Sequence, residues 1–68
     1  MTLQPVSSSN IAQVGWENTT LQVEFNSGAV WNYLNVPESE FNSMVNAPSV
    51  GKFFIANIKG HYQEERVS

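Results

Sequence analysis

Hydrophobic and polar residues alternate with period two from residue 10 onward, and the period changes to a helical one after residue 35. Ile11, Gln13, Gly15 and Glu17 fall on one side of an extended segment, with Ala12, Val14 and Trp16 on the other. Asn18-Thr19 reads as a turn. Leu21, Val23 and Phe25 then alternate with Thr20, Gln22 and Glu24, the cleanest half-buried strand in the chain. Asn26-Ser27-Gly28 is a hairpin signal, because Gly28 is free to adopt positive φ. A third strand is predicted over 29–34. Trp31 and Tyr33 lie on one of its faces, and Val30, Asn32 and Leu34 on the other. Residues 1–9 read as an extended lead-in, since Pro5 discourages helix and Ser7-Ser8-Ser9 offers local side-chain bonds.

Val36-Pro37-Glu38-Ser39-Glu40 has the composition of a helix start, with an early proline and two acids near the positive end of the helix dipole. Phe41, Met44 and Val45 follow at helical spacing. Ala47-Pro48 ends that helix. Ser49 is a good N-cap for a second one over 50–59, with Gly60 as its stop. Val50, Phe53, Phe54 and Ile58 form its apolar face. Residues 63–68 are polar and are expected to fray. The pattern predicts an α+β fold: an antiparallel three- to four-stranded β-meander followed by two short C-terminal helices packed on one face. It is one domain over residues 1–68, with a core over 6–62 and a polar tail over 63–68.

Composition narrows the function. The 68 residues contain no Cys and one His, which excludes disulfides, thiolate metal sites and multi-histidine metal sites within the chain. We expect no metal and no cofactor. No stretch has the ~18 apolar residues of a membrane span, and residues 1–10 carry no Lys or Arg. No secretory leader and no membrane association are therefore expected, and the cytoplasm is the expected location. Charged residues are only 13% of the chain, and the polar surface is built from eight Asn, eight Ser and four Gln. A thin core with a weakly charged surface favours self-association, so a homo-oligomer is expected. The net charge of −3 opposes binding to long nucleic acids, which depends on neutralising many phosphates.

Candidate chemistry centres on Ala47-Pro48-Ser49-Val50-Gly51-Lys52. A helix start offers unpaired N–H groups, Ser49 a hydroxyl, Gly51 close backbone approach and Lys52 a full charge. Residues 41–63 hold Lys52, Lys59 and His61 and no acid, so the second helix is locally basic in an acidic chain. That arrangement suits a compact anion better than a long duplex. Trp16, Trp31, Tyr33 and Tyr62 are candidates for stacking on a base; bulky aromatics in so small a chain are also the natural core. Trp31 and Tyr33 are equally candidates for a subunit interface. Ser8, Ser9 and Asn10 are candidate hydrogen-bonding groups for a ligand, or locally satisfied turn residues. His61 has no orienting acid beyond Glu64 or Glu65. Glu38 and Glu40, two apart on a helix, do not share a face, so catalysis is not expected.

The segments also resemble the KTSC domain, a family named for a region at the C-terminus of some lysyl-tRNA synthetases. The resemblance rests on Ser8-Ser9-Asn10-Ile11-Ala12 leading to Val14-Gly15-Trp16. It continues through Leu21, Val23, Phe25, Gly28, Trp31, Tyr33 and Val36-Pro37, and closes with Ala47-Pro48-Ser49, Gly51-Lys52-Phe53-Phe54, Ile58 and Tyr62. The synthetase fusion implies association with RNA. Small stand-alone members, including ones encoded by phages and bacteria, imply an independent role. One departure stands out: members often carry a more basic C-terminal segment and an Asn shortly after the paired aromatics, where this chain has Ile55. The function expected is therefore a small non-catalytic, homo-oligomeric protein that binds or sequesters a nucleotide-derived, phosphate-bearing small molecule. In a phage setting this would be a sponge for a cyclic-nucleotide or ADP-ribose-type immune signal. The alternatives are an RNA-binding accessory domain, using Lys52, Lys59, His61 and Arg66, and a protein–protein adaptor using the Trp31/Tyr33 face.

Overall fold

The alternation of Leu21, Val23 and Phe25 produces the middle strand of an antiparallel sheet in the computed structural model, which describes residues 1–68. The strands are β1 (Gln4–Pro5), β2 (Ile11–Glu17), β3 (Thr20–Phe25), β4 (Val30–Tyr33) and β5 (Glu64–Arg66). They lie side by side in the order β1-β2-β3-β4-β5. Two helices sit between β4 and β5 in the chain: α1 (Glu38–Val45) and α2 (Val50–Phe53), the latter continued by a π-helical turn over Phe54–Ile58.

The α+β class, the meander and the two helices are as the sequence predicts. Two short edge strands extend the sheet, and one of them overturns an expectation. Residues 63–68 do not fray. Glu64, Glu65 and Arg66 pair with Tyr33, Asn32 and Trp31, and the Leu34 and Val67 amides extend this ladder to Gln63 and Val30. Backbone hydrogen bonds hold this segment, so its side chains can be polar and exposed.

Directly paired residues share a sheet face. Val14↔Val23↔Trp31 and Trp16↔Leu21↔Tyr33 therefore define one face, and the helices cover it with Met44, Val50, Phe54 and Ile58. Burying one such apolar side chain contributes ~1.5–3 kcal/mol. Strict alternation would put Ile11 opposite Val14. The register slips between Ile11 and Gln13, so Ile11 pairs with Phe25 and enters the core at 1% exposure. The other face is polar. Gln13 donates to Glu24, and Gln22 Nε2 donates to Asn32 Oδ1 at 2.9 Å. Residues 1–3 lie against Gly15 there: a Cβ at Gly15 would stand 2.6 Å from Thr2 O and 2.7 Å from Leu3 Cδ2.

The turns follow their chemistry. Asn18 and Thr19 both have positive φ, 50° and 62°, which gives the tight two-residue hairpin between β2 and β3. Gly28, at φ 97°, closes the next hairpin.

Candidate functional site

Phe54 organises the candidate site. It is the last residue to pack into the core before the helix widens, and its ring lies edge-on to Phe25 at 5.6 Å and to Tyr33 at 5.3 Å. The π turn begins at this residue. It closes with the Lys59 amide donating to Phe54 O at 2.9 Å. The wider turn keeps Phe54 and Ile58 buried while Ile55 stays 56% exposed. Such widened turns recur at functional sites.

Two bays open beside this aromatic cluster. One, of about 170 Å³, is lined by Asn10, Ile11, Phe25, Gly51, Phe54, Ile55 and Lys59. The other, of about 280 Å³, is lined by Phe25, Trp31, Tyr33, Phe54, Lys59 and Glu64. They share Phe25, Phe54 and Lys59, so the two bays lie side by side about one aromatic pair with one common cation, and together are called the groove. Only the second bay has an acid, Glu64.

The groove brings together Asn10, Gly51, Lys59, Trp31 and Tyr33 among the residues singled out from the sequence. Ser8 supports it from behind. Its Oγ accepts from the Asn10 and Ile11 amides at 3.2 and 3.3 Å, and it packs so closely on Gly51 that a Cβ there would stand 3.1 Å away. Gly51 is therefore where the Ser8 turn and the second helix meet.

Tyr33 is a correction. The sequence offered it as core or, with Trp31, as an open stacking shelf or subunit interface; Tyr33 is 3% exposed, because its strand face is the one the helices cover, so the core reading holds and the open one does not. Burial, followed by the nearby Glu64 carboxylate, pushes its phenol up to about 12. Trp31 remains half-buried, opposite Arg66.

The other candidates lie outside the groove. The Ser49 hydroxyl is taken by its own helix, accepting from the Lys52 amide at 3.2 Å, and Ser49 O accepts from the Phe53 amide at 3.0 Å. Lys52 and His61 are exposed. Ser9 uses its carbonyl to accept from Asn26 Nδ2 at 2.9 Å. Trp16 donates to Val36 O, and Tyr62 Oη donates to Glu40 Oε2 at 3.0 Å. That contact, after burial, raises the Tyr62 pKa. Ile11, Phe25, Phe54, Ile55 and Glu64 line the groove without having been marked as site residues by the sequence. Adjacent aromatics followed by the isolated cation Lys59 were the available signal for Phe54, and nothing local marked Glu64. No helix is long and apolar enough to cross a membrane.

The KTSC domain family matches residues 7–62. A lysine–tRNA ligase of Nostoc punctiforme is 42% identical over 62 residues, 88% of this chain but 11% of the ligase. The chain thus spans about a tenth of the length of that relative. A protein of Stutzerimonas stutzeri is 34% identical across 91% of this chain and 92% of its own length. The crystal structure of a KTSC domain protein from Yersinia pestis superposes with a TM-score of 0.95 at 35% identity, covering 98% of this chain and 97% of that one. With the domain match spanning β2 to β4, both helices and most groove residues, this chain belongs to the KTSC domain family.

Proposed function

We propose that this chain is a small binding module for a compact, ring-bearing anion of the nucleotide class, and that it binds without catalysing a reaction. The observation that supports this is the position of Lys59, the one cation common to both bays of an aromatic-walled groove. Small-molecule sites combine apolar walls with a few placed polar groups, and this groove has that make-up. The two bays differ in charge, which sets an orientation. The phosphate occupies the smaller bay, where Lys59, Asn10 and Gly51 line the wall and no acid is present. The ring occupies the larger bay beside Trp31 and Phe25, where Glu64 accepts from a ring or ribose donor. A module of this kind is suited to sequestering a nucleotide-derived signal. The phosphate is thus assigned to Lys59 and not to the start of α2, where Ser49 serves its own helix.

Isothermal titration with AMP, a cyclic dinucleotide, ADP-ribose and inorganic phosphate tests this. A charge-assisted contact contributes ~1.5–3 kcal/mol, so Lys59→Ala should weaken the ring-bearing ligands by about tenfold or more. Uniform absence of heat overturns the reading.

A second reading, RNA binding, is favoured by the similarity to lysine–tRNA ligases. It uses the same surface: a base on Trp31, with Lys59 and the cross-strand Arg66 as phosphate contacts. It requires an affinity that falls steeply with added salt, and a tRNA gel shift at low salt distinguishes it from the mononucleotide reading.

A further inference from the structure

The two edges of the sheet are built differently. The β1 edge is two residues long and contains Pro5, which has no N–H to give. The β5 edge is open. On its inner side the Leu34 amide donates to Gln63 O at 2.9 Å and the Val67 amide donates to Val30 O at 2.8 Å. In an antiparallel ladder the backbone groups of successive residues point to opposite sides. Gln63, Glu65 and Val67 therefore face β4, and the amides and carbonyls of Glu64 and Arg66 face outward. An edge of this kind is a template for another strand.

We propose that β5 pairs antiparallel with β5 of a second copy, centred on Glu65, joining the two five-stranded sheets into one. The edge is self-complementary. In that register the outward-facing residues meet each other: Glu64 pairs with the partner's Arg66, and Arg66 with the partner's Glu64. Each pair exchanges backbone hydrogen bonds and matches opposite charges on one face. A two-fold interface requires a surface that complements itself, and the sequence Glu64-Glu65-Arg66 does so only in this register. On the other face Glu65 meets the partner's Glu65, a like-charge contact that weakens the pair. The Arg66 side chain is free to engage, since its present bond is an exposed one, Nε to Ser68 O at 3.2 Å.

The pairing also completes the groove. Glu64 lines the larger bay, and the partner's Arg66 would neutralise it at the rim. The dimer itself does not depend on the ligand reading, and its test reads mass, so the two can fail separately.

Sedimentation equilibrium over a wide concentration range is the test, with circular dichroism confirming that each variant is folded. The expected result is a concentration-dependent shift from the 7.6 kDa monomer to twice that mass. Arg66→Glu should return the protein to monomer by placing Glu against Glu in both pairs. The double variant Glu64→Arg/Arg66→Glu should restore the dimer, and Glu65→Gln should tighten it. A wild-type protein that is monomeric throughout overturns the proposal, as does a dimer that persists in Arg66→Glu or is not recovered by the charge swap.

Discussion

The Trp16 indole donates its Nε1 proton to the carbonyl oxygen of Val36 at 2.8 Å, across 20 residues of sequence. The bond ties the end of β2 to the segment that enters α1, and Val36 is itself wholly buried. Trp16→Phe removes the donor while keeping an aromatic ring. Leaving a buried acceptor unpaired costs ~1–3 kcal/mol. Urea unfolding should show a loss of that size, with the sheet retained.

Gly15 is held by proximity. Its place under residues 1–3 leaves no room for a methyl group, and the nearest atom, Thr2 O, belongs to the backbone. Gly15→Ala should displace that segment and weaken the β1–β2 pairing at Gln4↔Val14. Overpacking of this kind costs ~1–3 kcal/mol. Faster hydrogen exchange at the β1–β2 edge, with the β3–β4 amides unchanged, is the expected signature.

The β2–β3 turn stores strain. Thr19 is β-branched and sits at φ 62°, a region that costs an ordinary residue ~1–2 kcal/mol. Thr19→Gly creates Asn-Gly, the preferred pair for this hairpin. The backbone bond from the Val36 amide to Thr19 O at 2.8 Å survives the change. We expect a stabilisation of up to ~1 kcal/mol after the entropy cost of Gly, seen as a higher thermal midpoint.

Alkaline pH should destabilise the protein through Tyr33. Its phenol has an ordinary pKa of 10.0 and is raised to about 12 in the fold. The neutral form is the one the fold favours. The associated stability is present in full below pH 10 and is lost as the pH rises through 12. Absorbance at 295 nm should show a tyrosine ionising near that upper value, and Tyr33→Phe should remove that component.

The meander, its hairpins and the Ser49 cap were legible because each has a local signal: alternation in Leu21, Val23 and Phe25, positive φ at Gly28, a hydroxyl one residue before Val50. The fifth strand was not, because Glu64, Glu65 and Arg66 bury nothing and are held by backbone bonds to a strand about 30 positions earlier. The core position of Ile11 depends on a register slip that no alternation rule anticipates. For the candidate site, Lys59, Trp31, Asn10 and Gly51 could be named from residue type. Their meeting place could not, since it is set by the π turn after Phe53 and by the packing of Phe54 between Phe25 and Tyr33.

Lys59 and the aromatic walls beside it are proposed to receive a nucleotide-class anion. Titration of isotopically labelled protein with AMP, followed by NMR, tests it most directly. The largest shifts are expected at the Trp31 indole and at the amides of Gly51 and Lys59, and in Lys59→Ala the Trp31 and Gly51 shifts should need about tenfold more AMP, or greater, to appear. Shifts confined to Ser49 and Lys52, or no shifts at saturating AMP, would contradict it.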